Sequence, residues 1–391
     1  MIFQATRGEE SATYSPGCLI EVINEPSSYV MEVTTGGTDV LPNLEVKPTF
    51  YYLATEGAKV HVVSKKDGKA KLDNGMYLSL SALKSSVSSF ATAKLNGLSV
   101  SNTKKNTVFS FKLTDSVFHT VWMDTDFAEI TLYNVSGEIP AVSLADNPLF
   151  SKMEALRVDD TTVRIHLTYK TSKHIYGYTC YFDGKTLYVN FRNPVTLSSG
   201  DKPLTGIVIS LDPGHCGTAD PGAQRYYNGK LINESSLTWK LSNLVAEKLR
   251  ALGATVVLSR KENQDSYSLD ETIAGFRALN PDLNLSIHFN ASEDNSPTAT
   301  GTEAYWCYGN SQLLSDVVMK TFTEQTGFKY RKSARDYYKV SRLCEFPSVL
   351  FETAFISNSK DLAWFMSDSN MEKAASAISD GILDFFKEQN N

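Results

Sequence analysis

Three short apolar runs in the C-terminal half of the chain each end in a side chain that can hold a metal ion or a proton. IVISLDPGHCG (207–217) reaches His215, LNLSIHFNAS (283–292) reaches His288, and PSVLFETAFISN (347–358) reaches Glu352. Runs of this length read as buried strands. In an open α/β sheet the residues just past the strand C-termini build the binding crevice. One sheet edge therefore collects two imidazoles and a carboxylate. Glu234 opens the helical pattern after the first run and supplies a second carboxylate. Together they offer a hydrolytic zinc site.

The texture of the chain changes twice before this region. Residues 1–90 alternate apolar and polar positions between turn residues, and Asp67-Gly68 and Asn74-Gly75 are hairpin signals. Residues 91–200 keep period two in FSFKLTDSVFHTVWM, AEITLYNV, TTVRIHLTYK and TLYVNFRNP, a β-sandwich pattern. The stretch from Asn193-Pro194 to Asp201-Lys202-Pro203 reads as a linker. After Pro203 apolar runs alternate with helical patterns. Leu237, Leu241, Leu244, Val245, Leu249 and Leu252 share one face behind the cap Asn233, and Gly253 follows. Further helices are predicted at 311–326 and 371–387.

The predicted fold class is a multidomain α+β chain. It has a small barrel-like all-β unit (1–90), a β-sandwich (91–200) and an α/β domain (203–391) whose mostly parallel central sheet is flanked by helices. The first unit resembles the Src-homology-type barrels of bacterial wall enzymes over some forty residues. The second is similar to wall-targeting β-sandwich modules.

A length of 391 residues fits two or three cores at roughly 100–200 residues each. A net charge of −6 without a basic stripe argues against a nucleic-acid partner. No apolar stretch approaches the roughly 20 residues of a membrane span. The start MIFQATRGEESA lacks a charged n-region with an apolar h-region, so the expectation is a cytoplasmic protein or one whose signal has been removed. Cys18, Cys180, Cys216, Cys307 and Cys344 form an odd set without CxxC spacing and read as free thiols rather than zinc ligands. There is no oligomer signal, and a monomer is expected. His119, His166 and His174 lie among the sandwich strands and read as structural.

His215 and His288 are the only histidines after residue 203, so an imidazole-held metal needs both, with a third ligand from Asp, Glu or Cys. Asp212, Asp220, Glu234 and Glu352 are the candidates. Glu234, at a helix start close behind the first loop, is the better ligand. That leaves Glu352, on a separate strand, as general base. Asp220 is expected to hydrogen-bond its own Asp-Pro-Gly turn. Arg260 and Arg331 are candidates for gripping a substrate carboxylate or an oxyanion, and a loop-fixing salt bridge is the equal alternative for Arg260.

The run LDPGHCGTADPGA, Asn233-Glu234, SIHFNAS and VLFETAFISN resemble, in order and spacing, the zinc-dependent N-acetylmuramoyl-L-alanine amidases of bacterial cell walls, over about residues 205–388. The resemblance implies Zn2+ on His215, Glu234 and His288, a catalytic Glu352, and Arg260 and Arg331 at positions where the family usually has Arg. It implies peptidoglycan as the partner, cleavage between the lactyl group of N-acetylmuramic acid and L-alanine, and a secreted or wall-associated protein. Cys216 replaces a usual glycine, and is expected to narrow the pocket. Thr272 and Arg277 stand where Arg and Asn are frequent, and Lys332 where Gly is usual. Three alternatives remain open at this point: a zinc peptidase acting within the stem peptide, a non-catalytic wall-binding or regulatory protein, and an enzyme held inactive by residues 260–278 as a lid.

Overall fold

The computed structural model describes residues 3–7 and 10–14 as backbone only, and residues 29–44, 51–85, 92–171, 176–262, 268–292 and 298–390. Cys18, His174 and Tyr267 lie outside the described residues.

The N-terminal region is β-rich. Residues 29–85 form a five-stranded antiparallel sheet around Val33, Val60, Val62 and Leu72. Asp67 and Gly68 both take positive φ (49° and 72°) between the paired residues Lys66 and Lys69, as a two-residue hairpin turn demands. Residues 93–192 form a five-stranded and a four-stranded sheet around Phe109, Phe111, Ile130, Ile165 and Phe191.

Residues 208–390 build a six-stranded sheet with helices on both faces. Its strands are β1 (Val208–Pro213), β2 (Thr255–Leu258), β3 (Leu283–Asn290), β4 (Thr302–Trp306), β5 (Tyr330–Arg335) and β6 (Ser348–Phe355). Their order is β2-β1-β3-β6-β4-β5. The first four in that order are parallel, β4 runs antiparallel to β6, and β5 is parallel to β4.

On one face, α1 (Glu234–Ala251), α3 (Gly309–Thr326) and α4 (Asp368–Asn390) cover the sheet. Leu237, Leu241, Val245 and Leu249 of α1 meet Ile209, Leu211, Leu285, Ile287, Val349 and Phe351 there. The alternate positions face the other way, and the runs read as apolar prove two-faced. Ser210, Asp212, Asn284, Ser286 and Ser348 are fully buried on that second face. Ser210 donates to Asn284 (2.8 Å), Asn284 to Ser348 (2.9 Å), and Ser286 and Ser259 to Asp212 (2.7 and 2.6 Å). Buried polar groups must be paired, and here they pair across strands. Asp212 is thus a structural acceptor rather than a metal ligand.

Residues 260–278 are not a lid where they are described. The helix α2 (Leu269–Leu279) is capped by Ser268, whose side chain accepts from the Glu271 amide. Its Ile273 and Phe276 pack on Tyr305, Leu343, Phe346 and Leu350 of the second face. Amphipathic burial, rather than closure over a cleft, explains the segment. Residues 263–267 lie outside the described residues.

The β-rich region meets the sheet at the end opposite the strand tips that carry His288 and Glu352. Tyr308 donates to the Tyr51 carbonyl (2.9 Å), and the Tyr178 amide to the Cys344 carbonyl (2.9 Å). Arg342 pairs with Asp39 (2.7 Å), and Arg335 with Asp124 (2.9 Å). Cys307, Tyr308 and Cys344 belong to the same apolar cluster as Phe109 and Phe150.

His119 sits inside this assembly at 2 % exposure, held by the Thr55 hydroxyl (2.9 Å) and the Val117 carbonyl (3.2 Å). Burial pulls its pKa down to about 4. The folded-state value lies below the unfolded one, so the neutral ring's contribution is complete above about pH 6.5. It is lost as pH falls toward 4. The shift corresponds to about 3 kcal/mol. Thermal melts of wild type between pH 7 and pH 4.5 are expected to show this loss, and His119→Gln to flatten it. Identical pH profiles for the two proteins would remove His119 from the account.

Candidate metal centre

β1 ends at Pro213, and the chain must turn at once to bring His215 back over the sheet edge. His215 itself takes φ +60°, the left-handed region that non-glycine residues seldom occupy. The cost is offset by what the turn achieves: His215 Nδ1 lies 2.8 Å from Asp220 Oδ1, which turns Nε2 inward. The expectation that Asp220 hydrogen-bonds its own Asp-Pro-Gly turn is corrected, since its side chain bonds the His215 ring instead. Its carboxylate orients an imidazole, a common support for metal-binding histidines.

Glu234 is the first residue of α1, and its carboxylate is nearly buried. Its Oε2 accepts from the Ala223 amide (2.9 Å), and its Oε1 from the Phe289 amide (3.0 Å). The His215 Nε2 lies 3.3 Å from Oε2, and the His288 Nδ1 3.1 Å from Oε1. One donor atom from each of His215, Glu234 and His288 lies within 4.8 Å of the others. A tetrahedral ion with ligands at about 2.0 Å separates its donors by about 3.3 Å, so the cluster is of the size a zinc ion needs.

Two glycines keep the space open. A Cβ on Gly214 would stand 2.3 Å from the His288 ring. One on Gly222 would stand 2.6 Å from both Glu234 Oε2 and the His215 ring. The Asp-Pro-Gly repeat of DPGHCGTADPG thus has a steric meaning beyond turn formation.

The electrostatics of the cluster favour positive charge between the rings. Burial opposes a proton on His215, but Glu234 and Asp220 outweigh it and raise the pKa to about 9. His288 is raised as well, with burial again overcome by Glu234 and Glu352. Glu234 is held far below the usual carboxylate range by the two imidazoles, despite burial. Surroundings that stabilise imidazolium also stabilise a cation placed among them.

Glu352 stands beside His288 in the β3/β6 register and beside Glu303 in the β4/β6 register. Burial, with Glu234 and Glu303 adding and the imidazoles opposing, pushes its pKa up to about 7. Its Oε2 is buried and has no hydrogen-bond partner among the described residues. Glu303 is treated oppositely. Tyr305 (2.5 Å), Arg331 (2.7 Å) and Asn290 (2.9 Å) all donate to it, and its pKa is lowered even though burial opposes this. Two facing carboxylates are driven apart in acidity, the pattern by which one remains charged while the other exchanges protons. Sequence reasoning missed Glu303. The signal was a lone acid in the otherwise apolar strand TEAYW.

The two arginines separate. Arg260 is 4 % exposed and donates to the carbonyls of Pro213 (2.9 Å) and Ser235 (2.7 Å), and to the Thr238 hydroxyl (3.3 Å). Its guanidinium fixes the loop after β1 against α1 through these carbonyls, which is the loop-fixing alternative. Arg331 stays about one-third exposed on β5, with Lys332 beside it and about half exposed. Cys216 is fully buried and its backbone pairs with Asp220, so its thiol does not narrow the pocket. Arg277 pairs with Glu345 (2.6 Å), remote from the strand tips.

Residues 209–384 match the family model described as N-acetylmuramoyl-L-alanine amidase. The chain is 36% identical over 189 residues to the N-acetylmuramoyl-L-alanine amidase LytC of Bacillus subtilis, covering 47% of this chain and 36% of that one. It is 33% identical over 184 residues to the probable cell wall amidase LytH of Staphylococcus aureus, covering 47% of this chain and 60% of that one. The chain thus spans between about a third and three fifths of these relatives' length. Among solved structures, the catalytic domain of CwlV, an N-acetylmuramoyl-L-alanine amidase from Bacillus (Paenibacillus) polymyxa var. colistinus, is 27% identical, covering 46% of this chain and 98% of that one with a TM-score of 0.43. Over residues 209–384 this chain is thus similar to the N-acetylmuramoyl-L-alanine amidases.

Proposed function

We propose that the protein is a zinc-dependent hydrolase cutting the amide between the muramoyl lactyl group and L-alanine in peptidoglycan. The observation that carries this reading is the convergence of His215, Glu234 and His288 on one ion-sized space, with Glu352 one strand over. His215, Glu234 and His288 hold the zinc, which when bound supplies Lewis acidity to the attacking water and the scissile carbonyl.

The chain's own groups do the rest. Glu352 Oε2, buried and without a partner among the described residues, takes the proton from the attacking water and returns it to the departing nitrogen, so that the C–N bond breaks into a carboxylate and a free amine. A carboxyl raised to about 7 is matched to that exchange near neutrality. Glu303, held by Tyr305, Asn290 and Arg331, stays charged and keeps Glu352 from being permanently ionised. Arg331 and Lys332 give the β4/β5 side of the cleft positive charge, suited to the carboxylates of a stem peptide. The β-rich region at the far end of the sheet is read as the part that grips the wall. A wall substrate places the protein outside the cytoplasm. No helix among the described residues is long and apolar enough to cross a membrane.

Digestion of purified sacculi tests this directly. The full chain is expected to release intact stem peptides with a free L-alanine amine, to stop when a chelator is added, and to resume with zinc. Peptides shortened internally would point instead to a peptidase, and activity indifferent to the chelator would remove the metal.

A further inference from the structure

The N-terminal half of α1 carries a tryptophan where the core does not use it. Leu237, Leu241 and Val245 face the sheet, whereas Ser236, Trp239, Lys240 and Asn243 share the opposite side at i, i+3, i+4 and i+7. That side is one wall of a groove of about 590 Å³, which begins at Gly217 and Thr218, just past His215, and continues along Asn233, Ser236, Trp239 and Asn243. Its volume lies within the usual range of small-ligand sites, roughly 300–1,000 Å³. The groove adjoins the cluster at two points, since Glu234 heads the same helix.

We infer that this groove is the glycan subsite of the cleft, with Trp239 as the platform for a sugar ring. The inference rests on the hydrolase reading and gives the substrate a direction across the site.

The chemistry of the walls selects a neutral ligand. Arg260 is committed to the carbonyls of Pro213 and Ser235, and Lys240 Nζ lies 2.5 Å from Asp368. What remains toward solvent is the amide and hydroxyl of Thr218, Asn233, Ser236 and Asn243 together with the exposed carboxylate of Glu262, which repels the carboxylates of a stem peptide and not an uncharged sugar. Arg331 and Lys332, two cations that share the single carboxylate of Glu303 and so leave net positive charge, stand on β5 at the opposite edge of the sheet. A stem peptide carries carboxylates and belongs with them. A polyhydroxylated glycan, with no net charge along its N-acetylated rings, belongs on the α1 side.

The platform is also pre-set. The Arg260 guanidinium carbon lies 5.1 Å from the Trp239 ring centroid, and Arg260 is itself pinned by backbone. A fixed indole offers its electron-rich face to the polarised C–H face of a pyranose with little ordering cost.

The test uses the full zinc-loaded chain and an uncharged oligosaccharide of N-acetylglucosamine, which has no lactyl–alanine amide for the enzyme to cut. Calorimetric titration is expected to detect binding, with Trp239→Ala weakening it about tenfold or more and Trp239→Phe retaining most of it. On glycan-linked muropeptides Trp239→Ala is expected to raise KM about tenfold and leave kcat within about twofold, the pattern of lost uniform binding. Asn243→Ala, on the same wall, should weaken oligosaccharide binding in the same direction. Failure of the wild type to bind the oligosaccharide, or equal binding by wild type and Trp239→Ala, overturns the inference. Because binding is read without turnover, the hydrolase reading can fail while this one stands, and the reverse.

Discussion

Glu352→Gln is expected to retain one zinc per chain and to lose about a thousandfold or more in kcat, within the range for removing a general acid–base. Glutamine keeps the shape of the side chain and the strand register with His288 and Glu303. It removes the one property the environment has tuned, a carboxyl at about 7 with a free oxygen. His215→Ala is expected to behave differently and lose metal and turnover together, because the imidazole held by Asp220 is a ligand in this reading. Metal analysis beside steady-state kinetics separates the two. A Glu352→Gln variant with near wild-type kcat would take the proton relay away from this residue. A His215→Ala variant that keeps full zinc would take away the ligand.

The parts of this site that were legible in the sequence are those governed by local pattern. His215, His288 and Glu352 stand at strand ends because apolar runs announce strands, and Glu234 stands at a helix start because Asn233 and the leucine spacing announce a helix. What the sequence hid depends on three-dimensional direction. The strands read as uniformly apolar carry Ser210, Asp212, Asn284 and Ser286 on one face. The alternation was visible, but which face would be dry, and that serines would satisfy an aspartate there, depended on what packs over it. Asp220 was assigned to its turn because Asp-Pro-Gly is a turn signal by itself. That its carboxylate reaches back five residues follows from the left-handed backbone at His215, which no residue preference foretells. The helix α2 is the opposite case. Ser268 three residues before Glu271, with Leu269, Ile273 and Phe276 at helical spacing, was a readable signal that the lid reading passed over.

The second large effect is expected where backbone meets backbone between the β-rich region and the sheet. A Cβ on Gly309 would stand 2.3 Å from the carbonyl carbon of Asp124, and one on Gly177 would stand 2.5 Å from that of Glu345. Neither neighbour is a flexible side-chain tip, so α3 and the strand pair behind it would have to separate. They cannot do so without exposing Cys307, Tyr308 and Cys344, all at 1 % exposure or less. Gly309→Val is therefore expected to cost about 3 kcal/mol or more, at the upper end for overpacking, because both partners are rigid. Gly309 is far from the strand tips, so whatever fraction stays folded should bind zinc normally. The same geometry governs residues 203–391 made alone. That fragment bares the Tyr308 cluster, along with Arg335 and Arg342, which have lost Asp124 and Asp39. It is expected to melt well below the full chain and to aggregate on warming. Low activity in such a fragment would then report lost packing rather than a missing activator, which a melt recorded beside the assay distinguishes. A fragment as stable as the whole chain, or a Gly309→Val protein with an unchanged melt, would show that the two parts are tethered rather than packed as one body.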